Sequence, residues 1–140
     1  MTAPSDMPEA LLDTDTLSLY RRAHGQVTRH AAAYIRRYGQ LTFTELTRYE
    51  VLRGLTAAQA NRQLAAFERF SRLHRILPFD AEAARRSADI WADLRARGQP
   101  IGEVDTMIAG IALAHGLAVV SHNVNHFGRV TGLVVLDWIT

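Results

Sequence analysis

Leu11-Leu12-Asp13-Thr14-Asp15-Thr16 is the stretch on which the fold turns. A short apolar run ends in a carboxylate, and a helical pattern follows at once. In a parallel α/β protein this puts Asp13 at the carboxyl end of a strand, the end where open sheets bind their ligands. Four further features can serve it: Glu50, Asp105, Asn123 and a surface rich in arginine.

The chain has 140 residues, which suits one domain. A domain of that size buries roughly 68–70% of its unfolded surface, enough for a core without staples. Cysteine is absent, which excludes disulfides, thiolate metal sites and cysteine nucleophiles and suits a reducing cytoplasm. No apolar run approaches the ~18 residues of a membrane span. Residues 1–8 lack the basic start and apolar centre of a signal peptide and read as a flexible tail, leaving 9–140 as the folded domain. The net charge is only +2, yet all 16 basic residues are arginine. Its planar, always-charged fork matches phosphate, so the surface suits a polyanion.

From the amino end, Ala10 to Asp13 reads as a strand and Thr16 to Arg22 as a short helix. A second helix spans Gly25 to Gly39, with Val27, Ala31, Tyr34, Ile35 and Tyr38 at helical spacing. Leu41 to Phe43 is a strand, and Thr44 caps a third helix running to about Gly54. Thr56 to His74 is expected as a long fourth helix with Leu64, Phe67, Phe70 and Leu73 on one face. Arg75 to Phe79 is a third strand, held to an edge or a strand end by Pro78. Asp80 caps a fifth helix to Arg97, and Glu103 to His115 forms a sixth, stopped by Gly116. Leu117 to Val120 is a fourth strand, Ser121 to Arg129 a polar turn with one helical turn, and Leu133 to Val135 the last strand. Strands alternating with helices argue for a parallel sheet covered on both faces. If the first and fourth strands are neighbours, Asp13 and Asn123 open onto one crevice.

Asp105 is the only formal charge between Val104 and Ala114, in a helix apolar on nearly every side. Such a helix is buried, and a buried carboxylate needs a partner. It also sits in a helix's first turn, where an acid is favoured for structural reasons alone. Glu50 lies one turn beyond Leu46, at the margin of the third helix's apolar face. Three carboxylates meeting at about 5 Å with an effective dielectric near 20 repel by roughly 3 kcal/mol per pair. A divalent cation removes that penalty, and oxygen ligands select a hard ion such as Mg²⁺ or Mn²⁺. His122 and His126 are four apart, but in an expected loop rather than on one helix, which argues against zinc.

These segments together resemble the PIN-domain ribonucleases, specifically the VapC toxins of bacterial toxin–antitoxin pairs. The resemblance is carried by LLDTDT (11–16), TELTRYEVLRG (44–54) and RILPFD (75–80), then by GQPIGEVDTMIAG (98–110), GLAVVSHNVNHFGRV (116–130) and GLVVLDW (132–138). No single segment is specific; their order and spacing are. The resemblance implies an αβα sandwich with a five-stranded parallel sheet and an acidic metal site of Asp13, Glu50 and Asp105. Asn123 falls where many PIN domains carry a fourth acid, and Asp15 where relatives often carry Asn. Ser121 replaces the usual Thr and would hold the Asn123 loop or a water. The activity implied is hydrolysis of RNA, with Mg²⁺ as cofactor and Mn²⁺ as substitute, leaving a 5′-phosphate and a 3′-hydroxyl. Arg21, Arg22, Arg48, Arg53 and Arg129 are candidates to hold the RNA backbone. The partners implied are a VapB-like antitoxin and a second copy of the chain in a homodimer. RILPFD and PIGEVD most resemble the branch that cuts initiator tRNA in its anticodon loop.

Two other readings fit parts of the same sequence. Asp13-Thr14-Asp15 matches the Asp-x-Asp nucleophile motif of haloacid-dehalogenase-like phosphatases, with Asp13 as nucleophile. Against it, Leu17 departs from that motif and no lysine is present to hold a phosphate. The neutral Asn123 also admits a catalytically weak, partner-binding module.

Overall fold

Asp13 does end a strand. In the computed structural model, which describes residues 7–140, β1 (Ala10–Leu12) is followed at once by α1 (Thr14–Arg21). The helix begins two residues before Thr16 because Asp13 itself is the cap, accepting a hydrogen bond from the Thr16 amide. α2 (Gly25–Tyr38) stops at Gly39, whose φ of 88° is open to glycine at no steric cost.

β2 (Thr42–Thr44) leads into α3 (Glu45–Ala57), which the Thr44 hydroxyl caps. α3 runs straight through Gly54 and takes up Thr56, the residue expected to open the next helix. The break falls instead at Gln59, with φ 53°, so α4 covers only Asn61–Arg72. β3 (Arg75–Leu77) ends before Pro78 and α5 (Ala81–Ala96) follows under an Asp80 cap. Then come α6 (Glu103–His115), β4 (Ala118–Val120), α7 (Val124–Phe127) and β5 (Val135–Leu136).

All strand pairs are parallel. β1 lies beside β4, with Ala10 opposite Ala118 and Leu12 opposite Val120, and β4 pairs on its far side with β5. Side chains on β1 and β4 alternate between two cores. Leu11 and Val119 enter one, with Ile90 and Leu94 of α5 and Ile108 and Ile111 of α6. Ala10, Leu12, Ala118 and Val120 enter the other, with Leu17, Val27, Tyr34 and Phe67. Burial on both faces is the signature of a parallel sheet between helix layers. α5 and α6 approach closely because Gly110 has no side chain: a Cβ there would meet Ser87 Oγ at 1.9 Å and the Ala83 carbonyl at 2.9 Å.

The expected single five-stranded sheet is corrected in one respect. Five parallel strands are present among the described residues, but they form two hydrogen-bonded ladders, β1-β4-β5 and β2-β3. β1 and β2 are adjacent, yet Tyr34 takes up the backbone groups on the edge of β1 that faces away from β4. Its hydroxyl accepts from the Ala10 amide (3.1 Å) and donates to the Ala10 carbonyl (3.0 Å). A phenol from α2 therefore stands where a strand-to-strand bond would otherwise form. Met7, assigned to the tail, packs on the second core and its carbonyl accepts from Tyr38; residues 1–6 of that tail lie outside the described residues.

Replacing Tyr34 by Phe should therefore leave the buried amide and carbonyl of Ala10 without their partner. The expected loss is about 1–3 kcal/mol, read as a lower urea midpoint with an unchanged slope.

Candidate active site

The site lies where β1 and β4 end side by side. The Asp13 amide donates to the Val120 carbonyl (3.1 Å), and the Thr16 hydroxyl donates to the same oxygen (3.2 Å), tying the start of α1 to the end of β4. Asp13 is only 5% exposed. Burial pushes its carboxyl above the usual range, while hydrogen bonds from Ser121 and Thr16 partly offset this and the nearby charge of Asp15 adds to it. No arginine pairs with it among the described residues.

Ser121, the first residue after β4, is fully buried. Its hydroxyl accepts from the Asn123 amide at 2.8 Å and lies near enough to Asp13 to hold its pKa down. One side chain thus holds the loop that carries Asn123 and lies beside the carboxylate that follows β1. The Asn123 side-chain amide donates to Nδ1 of His126 at 2.8 Å. That imidazole nitrogen is 3.8 Å from Oδ2 of Asp105.

Asp105 enters from the first turn of α6. Burial raises its pKa most; His126 opposes the shift, and the charges of Asp15 and Glu50 reinforce it. Asp15 and Glu50 are therefore electrostatic neighbours of Asp105, and Asp15 of Asp13 as well. Glu50 reaches the crevice from α3. Its Oε1 accepts from the Thr14 hydroxyl at 2.6 Å, and Thr14 in turn shares a hydrogen bond with Thr47 at 2.9 Å. Arg53 approaches the other oxygen of Glu50 at 3.7 Å.

The structure thus brings Asp13, Asp15, Glu50, Asp105, Ser121 and Asn123 to one end of the sheet. The donor chemistry fits a hard divalent cation: oxygen atoms, partial desolvation and mutually repelling carboxylates short of cationic partners. Among the described residues no three His, Asp or Glu side chains are placed to hold one ion together.

His126 was missed as a site residue by sequence reasoning. The signal available was its position three residues after Asn123, but α7 has four residues, too few for helical periodicity to show. His122 goes elsewhere and pairs with Asp137 at 2.9 Å. The candidate arginines also divide. Arg48 is engaged by Glu68 (3.2 Å) and Glu45 (3.5 Å), and Arg129 donates to the Pro100 carbonyl. Arg53 lies beside Glu50, whereas Arg21 and Arg22 form no ion pair among the described residues and line a cleft with Ser18 and Gln63.

Comparison with known proteins identifies the family of the chain. The family model described as PIN domain matches residues 10–133. A tRNA(fMet)-specific endonuclease VapC of Shigella flexneri is 38% identical over 101 residues, covering 71% of this chain and 76% of the relative. Ribonuclease VapC2 of Haemophilus influenzae is 31% identical over 102 residues, covering 72% and 77%. Among solved structures, a DNA-bound VapBC from Salmonella typhimurium superposes with a TM-score of 0.82 at 29% identity, over 94% of this chain and 99% of that one. FitAcB from Neisseria gonorrhoeae superposes with a TM-score of 0.83 at 24% identity, over 93% and 98%, a likeness of fold.

The burial of Asp13 sets a signed expectation. An acid whose folded-state pKa is raised loses stability for the fold as pH rises through its unfolded and then its folded value. Asp13→Asn keeps a capping side chain and discards the desolvated charge. In chelator at pH 7 it should melt above the native protein, with the gap closing as the pH is lowered into the acid range. A lower melting temperature at pH 7 would show that burial is not what dominates at Asp13.

Proposed function

This chain belongs to the PIN-domain family and is a VapC-type ribonuclease, and we propose that it hydrolyses RNA at the crevice bounded by Asp13, Glu50, Asp105 and Asn123. The observation that carries the assignment of residues is the pairing of β1 with β4. It brings Asp13 within reach of Ser121 and the Asn123 loop, and α6 delivers Asp105 to the same place. The Asp-x-Asp phosphatase reading gives way to this membership, and Asp13 is a buried helix cap rather than a free nucleophile. The weak-module reading gives way with it, since the curated relatives above are named as nucleases.

A divalent cation comes with the family, and we take it to be Mg²⁺, with Mn²⁺ as substitute. Asp13, Glu50 and Asp105 would hold it, with Asp15 in support. When bound it polarises the phosphoryl oxygen and makes a water more acidic. The protein does the rest. Glu50, oriented by the Thr14 hydroxyl, is placed to align the attacking water and to receive its proton. Asn123, held through Ser121 and His126, positions a phosphate oxygen without adding a further negative charge. Water attacks phosphorus in line, the P–O3′ bond breaks, and the proton released by the water is matched by one taken up by the departing 3′-oxygen. The products are a 5′-phosphate and a 3′-hydroxyl.

The substrate we favour is tRNA cut in its anticodon loop, after the Shigella relative named for tRNA(fMet). We infer that a VapB-like antitoxin covers the crevice, as the VapBC complexes among the solved neighbours suggest, that the chain forms a homodimer, and that it acts in the cytoplasm. Among the described residues no helix is long and apolar enough to cross a membrane.

Purified protein should cut structured RNA with Mg²⁺ and stop on addition of chelator. Asp13→Ala and Asp105→Ala should each lower the rate by at least about 100-fold, the scale expected for loss of metal-site support. Variants that cut as fast as the native chain would remove these residues from the site. Expression without antitoxin should arrest growth, and sequencing of RNA ends after a short pulse should identify the cut.

A further inference from the structure

α1 carries acids at one end and arginines at the other. Asp15 stands in its first turn, and Ser18 and Arg22 follow at the i+3 and i+7 positions, so the three share one helix face. Arg22 lies about 10 Å along the axis from Asp15 at the ordinary helical rise. At that far end Ser18, Arg21, Arg22 and Gln63 line a polar cleft of ≈ 530 Å³ between α1 and α4. No acid lines it, and neither arginine forms an ion pair among the described residues. The Arg21 guanidinium rests on the Phe67 ring, 4.8 Å from its centroid, so its position is held without neutralising its charge.

On the other side of Arg21 lies a second cleft of ≈ 400 Å³, lined by Tyr20, Ala23, Thr28, Ala66 and Phe70 as well as Arg21. The Tyr20 and Phe70 rings are 6.1 Å apart and tilted at 42°. A basic, hydrogen-bonding cleft beside an aromatic one is the combination that single-stranded RNA demands: donors for the backbone and ring faces for a base. Protein partners would find little apolar area in the first cleft and an uncompensated positive charge. An RNA strand running from the acidic crevice along α1 would meet phosphate donors next.

We propose that the two clefts flanking Arg21 form a nucleotide subsite for the RNA strand beyond the scissile bond, with Arg21, Arg22 and Gln63 on a phosphate and Tyr20 against a base. The proposal rests on the ribonuclease reading above. It assigns to α1 the role of a spacer between the cut and a second grip on the substrate, which makes affinity depend on how far the RNA extends.

The test measures binding of a fluorescein-labelled single-stranded oligouridylate by anisotropy, in Mg²⁺, on full-length protein carrying Asp105→Asn to stop turnover. Arg21→Ala and Arg22→Ala should each weaken binding several-fold. Each should also reduce the slope of log affinity against log salt by about 0.7, the share of one phosphate contact to a single strand. Arg21→Lys should restore most of the slope. Tyr20→Leu should weaken binding while leaving the slope unchanged, because stacking releases no counterions. Arg85→Ala, on α5 and paired to Asp89, should change neither, and unchanged melting temperatures confirm that each variant folds. Native affinity and slope in both arginine variants would overturn the subsite, as would an Arg85→Ala effect equal to that of Arg21→Ala, which would mean only long-range charge. Failure of the native protein to bind or cut any RNA would instead overturn the ribonuclease reading.

Discussion

A carboxylate that has been taken out of water is the constraint around which this molecule is built. Asp13 sits at the end of β1 with almost no exposure, and burial favours its uncharged form. A buried acid of this kind is tolerable only where hydrogen bonds or a cation compensate it. The compensation visible within the chain comes from the Thr16 amide and the Ser121 hydroxyl. Both belong to the junction of β1, α1 and β4, so the groups that stabilise the carboxylate also align the sheet. Asp105 repeats the pattern at the head of α6: it is desolvated, faces two other acids, and has only an imidazole nearby. Two under-compensated carboxylates at one end of a sheet leave a deficit of positive charge that a hard cation is suited to fill.

The positions of the supporting residues follow from this. Thr14 is half-buried because it bridges to Glu50 and Thr47, which brings α3 to the crevice without bringing the Glu50 charge onto Asp13. Asn123 is neutral, so the loop after β4 adds hydrogen-bonding capacity at the site and no further repulsion. Ser121 serves both strands at once. Its hydroxyl holds the Asn123 loop and at the same time favours the charged form of Asp13.

Much of this was legible in the sequence because the chemistry and the periodicity agree there. Leu11-Leu12-Asp13 reads as strand then ligand since an apolar run cannot continue through a carboxylate without cause. The lone charge of Asp105 stands out against Ile108, Ile111 and Ala112, all buried in the fold. The parts that did not read correctly share a different character. Gly54 has the look of a helix stop, but nothing around it demands a turn, and the chain breaks at Gln59 instead. Tyr34 lies on an apolar stripe and reads as core; its hydroxyl's place on the edge of β1 depends on tertiary placement. The same holds for His126, where a four-residue helix offers no pattern to detect.

The charge layout along α1 follows from the same economy of position. An acidic crevice repels the polyanion it must cut, so attraction has to come from elsewhere on the substrate's path. Of the arginines suggested by composition, Arg48 and Arg129 are already engaged and Arg53 lies against Glu50. Arg21 and Arg22 are what remains of that set with neither an ion pair nor a side-chain hydrogen bond among the described residues. They are attached to Asp13 and Asp15 by one short helix, and α1 is tied to β4 through Val120. A grip on the substrate carried by the same rigid element as the acids can set the distance between binding and cleavage. Arginines on a separate loop would attract RNA equally well but would not fix its register at the metal.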